Sequence, residues 1–476
     1  MVTFCIALLL LVLGYLLYGK VAERVIKPDS KAQTPAYAKN DGVDYIPMPT
    51  WKIFMIQFLN IAGLGPIFGA VLGAKFGTSA YIWIVFGCIF IGAVHDYTSG
   101  MLSLRHGGEN LPEIIGRYLG NTTKLIMRIF TIILMVMVAA VFVSGPAAIL
   151  DSLTPESLNA NFWIIVIFVY YVVATLLPID KIIGKVYPVF AIALIFMALG
   201  ILVMLFTGQY HIPEITEGLT NTHPQADVLP IFPIMCVTIA CGAISGFHAT
   251  QSPLMARCLK NENLGRKVFY GSMILEGIMA LIWAAAAIWY YQNYGYEEGN
   301  AAKIVNFITN TWMGRFGAIL ALLGVVFAPI TSGDTALRSC RLIVADFLKK
   351  DQQKISNRLL IAIPLFVATA GVIIYSLADS NGFNLIWRYF AWCNQTLSVF
   401  TLWAVTVFLV VKGKKWIITF IPALFMTQVC ATYLMLAPEC LSLDHTLSYI
   451  LGGVVTIAFA IGFFVWKNKR SAIKES

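Results

Sequence analysis

Five ionisable side chains interrupt long apolar stretches of this 476-residue chain. They are His95 and Asp96 in GAVHDYTSG, His248 in SGFHATQSP, Glu276 in SMILEGIMALI and Asp334 in FAPITSGDTALR. A charge taken out of water without a partner costs several kcal/mol, so a group in such a place is neutral, paired or functional. Glu276 lies about ten residues into its apolar run, close to the middle of a bilayer-length helix. A carboxyl group that must be neutralised at some stage of a cycle is what a proton carrier requires; a glutamate that only hydrogen-bonds a neighbouring helix would look the same in sequence. Asp334 follows Thr331 and Ser332, whose hydroxyl oxygens suit a hard cation. It has Arg338 one helical turn further on as an alternative partner. His248 is able to change charge near neutral pH. His95 and Asp96 stand near the predicted inner end of their span, where a gating role fits. Adjacent helix residues do not share a face, and no histidine pair has ligand spacing, so no metal and no cofactor is expected.

A second set of polar residues is uncharged. Gln57, Asn60, Ser245, Ser252, Asn394 and Gln395 lie within apolar runs and offer the hydrogen bonds that a carboxylate or peptide ligand needs. Three of them flank glycines. Gly63 and Gly65 fall in NIAGLGPIFG, and Gly246 falls in TIACGAISGFHATQSP. Glycines and a proline in the middle of a span predict a broken helix, and unpaired backbone is tolerated at membrane depth only where protein or a water-filled cavity satisfies it. A break therefore predicts a site: amide groups after it hold anions, and carbonyls before it hold cations. A packing notch is the plainer reading of one break. Two breaks at corresponding places in two halves of a chain point to a transporter's binding site.

The elements that position these residues follow from hydropathy. The chain is 59% hydrophobic and 12% charged, with a mean hydropathy of +0.79. A soluble domain carries about twice that charge. About thirteen stretches are long and apolar enough to span a bilayer as helices: 2–19, 51–74, 79–102, 125–150, 160–177, 187–207, 229–254, 267–293, 316–346, 358–378, 383–411, 415–436 and 446–466. No alternating strands of the β-barrel kind appear. With the N-terminus outside, only Lys75, Lys303, Arg315 and Arg388 fall outside, which leaves 29 of the 33 basic residues on the cytoplasmic side. The net charge of +9 thus orients the protein in a membrane and implies no nucleic-acid partner. The first span has its basic residues after the apolar run, as a retained anchor does. The nine cysteines form no CxxC pair and read as small buried side chains.

The two breaks fall in spans two and seven, which run in opposite directions. Spans two to six and seven to eleven then form two inverted repeats of five, at 51–228 and 229–411. An N-terminal anchor and loop (1–50) and two C-terminal helices with a tail (412–476) flank them. The fold class is an all-α polytopic membrane protein with broken helices at its centre. P-loop, H-E-x-x-H and G-x-S-x-G motifs are missing from the sequence, so ATP-driven transport and the matching hydrolases lose support.

The segment TPAYAKNDGVDYIPMPTWKIFMIQFLNIAGLGPIFGAVLGAKFG resembles the signature of the carbon starvation protein A family. So do GAVHDYTSGMLSLRHGGENLPEIIGRYLG, CGAISGFHATQSP, MILEGIMALI, TSGDTALRSCR and WCNQTLSVF, in the family's order. The resemblance implies an inner-membrane importer of pyruvate or peptides, proton-driven in several members, with a five-plus-five, leucine-transporter-like core. Many relatives are longer, with extra C-terminal spans, and a family position that often reads GAVQD reads GAVHD here. The resulting expectation is a symporter coupled to H+, with Na+ as the alternative. In it Gln57, Asn60, Gly63, Gly65, Ser245, Gly246, His248, Ser252, Asn394 and Gln395 line the substrate site. Glu276, Asp334, Thr331 and Ser332 serve ion coupling, and His95 and Asp96 gate. An amino-acid carrier is the alternative within transport, and a metal-dependent membrane enzyme built from His95, Asp96, His248 and Glu276 is the alternative from another class.

Overall fold

The computed structural model describes the chain except residues 177–178, 209, 297–300, 353, 379–381 and 476. All regular structure among the described residues is helical. In chain order the main helices are α1 (Val2–Ile26), α2 (Thr50–Ile61), α3 (Leu64–Phe76) and α4 (Ser79–Arg105). They continue with α5 (Leu111–Leu119), α6 (Asn121–Asp151), α7 (Ala160–Leu176) and α8 (Ile179–Thr207). After α9 (Gly246–Ala256) and α10 (Glu262–Tyr294) comes α11 (Ala301–Leu348), a 48-residue helix kinked at Gly314. The chain ends with α12 (Ile355–Ala378), α13 (Gly382–Val411), α14 (Ile417–Leu436) and α15 (His445–Glu475). By length and composition nine described helices cross a membrane, or ten if the bent pair α2–α3 is one span. The expected stretches other than 229–254 fall largely on these helices, and 229–254 is helical only at 231–238 and from Gly246 onward. The shorter helix α7, the divided segment before α9 and the long α11 lie outside that count of nine.

Two layers separate by burial. The most apolar windows of α4 and α10 are 83% buried, against 28% for α1 and 17% for α15. The outer helices present Val189, Ile192 and Phe196, or Ile450, Val454 and Ile457, to the surroundings, as side chains facing lipid do. The inner layer surrounds the two breaks. Helix α3 packs on α10, and α9 packs on α4, α2 and α13.

Each break has a local cause. Between α2 and α3 the axis bends by 43°, with Gly63 at ψ −139°. Pro66, in the first turn of α3, lacks an N–H to lose there. The second break is longer. Short helical turns at Ile231–Met235 and Cys236–Thr238 end, and the chain runs without helix to Gly246, where α9 begins. Gly242 takes φ +93°, a left-handed conformation suited to glycine. Glycines of neighbouring helices clasp this unwound segment. A Cβ on Gly65 would meet the Cys241 side chain, one on Gly69 would sit 3.0 Å from Thr238 O, and one on Gly92 would strike Ala243 O. Small residues here let backbones approach closely.

Candidate functional site

The second break is where the ionisable residues gather. His248, in the first turn of α9, places Nδ1 2.9 Å from Asp96 Oδ2. His95 Nδ1 lies 2.8 Å from the other oxygen, Asp96 Oδ1. On the far side His248 Nε2 lies 3.4 Å from Glu276 Oε2. The Gly242 N–H donates to Glu276 Oε1 at 3.1 Å. All four side chains are fully buried. A carboxylate between two imidazoles, and an imidazole between two carboxylates, form one continuous line of titratable groups from α4 to α10. The positions follow from the fold: α4 brings His95 and Asp96, α9 brings His248 and α10 brings Glu276.

His95 and Asp96 belong to this line and lie short of the end of their helix. Helix α4 continues to Arg105, nine residues or about 14 Å beyond Asp96. Although adjacent, the two side chains meet by a direct bond. The end of α4 has a different pairing, in which Arg105 Nη2 bonds Glu262 Oε2 at 2.8 Å and Lys27 O at 2.8 Å.

Cys241, in the unwound segment, completes the cluster. Its sulfur, a His248 ring nitrogen and a Glu276 oxygen all lie within 4.8 Å of one another. The sequence reading passed over this residue because nine scattered cysteines in apolar runs look alike. Its place directly before Gly242 at the start of the glycine-containing break, in CGAISGFH, was the available signal.

The first break has a different chemistry. Ser332 Oγ donates to Leu59 O, a carbonyl just before the break, at 3.0 Å. A Cβ on Gly63 would stand 3.0 Å from the same Ser332 Oγ. Thr335 Oγ1 reaches Asn60 Oδ1 at 3.4 Å. Gln57 and Asn60 are fully buried, and both carboxamide atoms of Gln57 and Nδ2 of Asn60 have no hydrogen-bond partner. Thr331 turns to its own helix, donating to Ala328 O at 2.7 Å. Asp334 receives Tyr187 Oη at 2.7 Å, a partner from α8 that the sequence reading did not identify. Arg338 Nη2 donates to Ala174 O at 3.0 Å, and Nη1 lies 3.6 Å from Asp44.

The remaining polar residues divide between architecture and free capacity. Asn394 accepts from the Phe247 N–H at 3.1 Å and from Ser245 Oγ at 3.2 Å, which caps the start of α9. Its Nδ2 donates to Phe390 O. Ser252 bonds His248 O within its own helix. A Cβ on Gly246 would strike Asn394 O. Gln395 Nε2 donates to Cys236 O at 2.6 Å, and its Oε1 is unpartnered. Gln251, absent from the sequence-based set, also has a fully buried, unpartnered Oε1.

Three comparisons place this arrangement. A manganese transporter of Eremococcus coleocola, solved with an aromatic bis-isothiourea compound, superposes with a TM-score of 0.56 at 12% identity. That match covers 90% of this chain and 98% of the other, and shows a shared leucine-transporter-like fold. The peptide transporter CstA of Campylobacter jejuni is 26% identical over 88% of this chain and 78% of its own length. The pyruvate/proton symporter BtsT of Escherichia coli is 28% identical over 57% of this chain and 46% of its own. The family model for carbon starvation protein CstA matches residues 1–157, 153–305 and 295–433. With relatives that are transporters and a transporter fold around two helix breaks, the chain belongs to the carbon starvation protein CstA family.

Proposed function

We propose that this multi-pass membrane transporter imports pyruvate or small peptides by proton symport, with alternating access around the two breaks. The observation that carries this reading is the fully buried line Glu276–His248–Asp96–His95 at the second break. A carboxylate there is costly unless paired or protonated, so proton uptake and release on Glu276 gives the cycle two electrostatic states. His95 and Asp96 serve as the gate and hold His248, since Asp96 binds both imidazoles. The unpartnered Gln57, Asn60, Gln395 and Gln251 atoms supply uncharged hydrogen bonds for substrate, and the amides of the Gly63–Gly65 break supply its carboxylate partner. Substrate class follows the names of two relatives, one a peptide transporter and one a pyruvate/proton symporter.

The reading includes two inverted repeats, 51–228 and 229–411, between an N-terminal segment (1–50) and a C-terminal one (412–476). The contact of Gly65 with Cys241, which joins the two breaks, supports it. It also places the protein in the bacterial inner membrane, with the N-terminus outside and the C-terminus cytoplasmic, on the strength of the basic-residue distribution. One observation favours Na+ as coupling ion instead: Ser332 Oγ meets Leu59 O at the first break, beside Thr331 and Asp334. Purified protein in liposomes tests the set. Uptake of labelled pyruvate and of dipeptides is measured under a pH gradient and a Na+ gradient separately. The reading expects accumulation under the pH gradient alone. Accumulation that follows only the Na+ gradient overturns proton coupling, and absence of both substrates from the vesicles overturns the substrate class.

A further inference from the structure

We propose that Cys241, His248 and Glu276 form a three-ligand site for a zinc-type divalent cation. Two of the three ligands, His248 and Glu276, are held from the outside and present a free atom to the inside of the cluster. His248 Nδ1 is held by Asp96, which leaves Nε2 directed at the cluster without a hydrogen-bond partner. Glu276 Oε1 is held by the Gly242 N–H, which leaves Oε2 there, also without a hydrogen-bond partner. Asp96 is in turn held by His95. A carboxylate that orients a histidine whose other nitrogen faces the ion is the usual outer shell of a metal centre.

The spacing and charge fit as well. The three donors lie within 4.8 Å of one another, and His248 Nε2 and Glu276 Oε2 are already 3.4 Å apart. Bonds of about 2.0 Å to nitrogen and oxygen and about 2.3 Å to sulfur put tetrahedral donors roughly 3.3–3.8 Å apart, so the cluster needs to contract by about 1 Å. A thiolate and a carboxylate cancel the two charges of the ion, and His248 is a neutral ligand. The ion and its three ligands together then carry no net charge, which limits the cost of burial. Binding releases the thiol proton, and the carboxyl proton when Glu276 carries one, to water. The soft sulfur selects Zn2+ or Cd2+ over Mg2+ and Ca2+. Three protein ligands leave one coordination position open.

A metal and a proton use the same lone pairs on Glu276 and His248. If Glu276 carries the coupled proton, as the proposed function holds, the ion acts as an inhibitor that holds the second break in one state. The metal site itself does not depend on that reading.

The test uses full-length protein and Cd2+ as the probe. Purified wild type in detergent, equilibrated with Cd2+, should bind one ion per chain and show the ultraviolet sulfur-to-cadmium charge-transfer band. Cys241→Ser should lose the band and one equivalent of metal, with its thermal unfolding compared to confirm an intact fold. His248→Gln and Glu276→Gln should each weaken binding at least tenfold while keeping the sulfur. No band in the wild type, or an unchanged band in Cys241→Ser, overturns the site. In liposomes Cd2+ should suppress uptake driven by a pH gradient, a chelator should restore it, and Cys241→Ser should resist relative to its own metal-free rate. Stoichiometric binding with unaffected uptake would leave the site standing and overturn proton carriage by Glu276.

Discussion

The two helix breaks share a place in the fold but differ in length and in chemistry. At Gly63 only residues 62–63 leave the helix, and the side chains in contact there are neutral: Gln57, Asn60, Ser332 and Thr335. Before Gly246 the chain stays unwound for seven residues, 239–245, and its neighbours are Asp96, His248, Glu276 and Cys241. Neutral amides and hydroxyls bind a solute or a bare cation at any pH near neutrality. Carboxylates, imidazoles and a thiol exchange protons. Under the proposed function, solute recognition falls mainly to the first break and coupling mainly to the second, and substitutions at each should separate the two.

The largest effect is expected from Glu276→Gln, which keeps the shape and mimics the protonated state. Accumulation driven by a pH gradient should vanish, while exchange of labelled substrate across the membrane persists. If Glu276→Gln concentrates substrate as well as wild type does, the assignment of coupling to the second break fails. Should Asp334→Asn show the loss instead, coupling moves to the first break and its neighbour Tyr187.

Next come the glycines. Gly65→Leu drives its side chain into Cys241, and Gly246→Leu into Asn394 O and Leu397. Both should abolish uptake with membrane insertion retained, read by surface labelling beside transport. Normal uptake in both variants would show that the breaks only ease packing. Gly242→Ala carries two penalties: its φ of +93° strains any side chain, by about 1–2 kcal/mol, and the new Cβ would sit 2.5 Å from Ala280 Cβ. It should lower the unfolding temperature and weaken coupling through the Gly242–Glu276 bond.

Smaller still is Ser332→Ala. Loss of its bond to Leu59 O should cost about 1 kcal/mol in stability, read by thermal unfolding. Under the proton reading uptake should keep its pH dependence; a loss of Na+-dependent uptake would instead favour an ion site at the first break. The smallest effect is a control remote from both breaks. Glu214 receives the N-terminal ammonium and the Val2 and Thr3 N–H groups. That ammonium, chiefly, brings its carboxyl down to about 2. A lowered folded-state value means stabilisation present above the ordinary range near 4.5 and lost as pH falls toward 2. Because the pair is only partly buried at the surface, Glu214→Gln should cost under about 1 kcal/mol at pH 7 and less near pH 2, measured by unfolding at both values.

Much of this was legible before any coordinates. Class, spans and both breaks follow from the sequence because hydropathy and glycine–proline interruption are local properties, written along the chain. The costly ionisable residues announce themselves for the same reason: a carboxylate in an apolar run is visible without knowing its partner. What only the tertiary structure decided is which of them meet. Asp96 and His248 are 152 residues apart, and Ser332 and Leu59 are 273 apart. Those pairs are set by which helix faces cross, and periodicity names a face without naming its partner. Asn394 shows in the sequence only as a hydrogen-bonding group in an apolar run, and α13 carries it to the start of α9 as a cap. Cys241 looks like a small apolar filler until an unwound segment turns its sulfur toward His248 and Glu276. Chain order determined where the protein could afford polar groups in a membrane, and packing determined what those groups could do together.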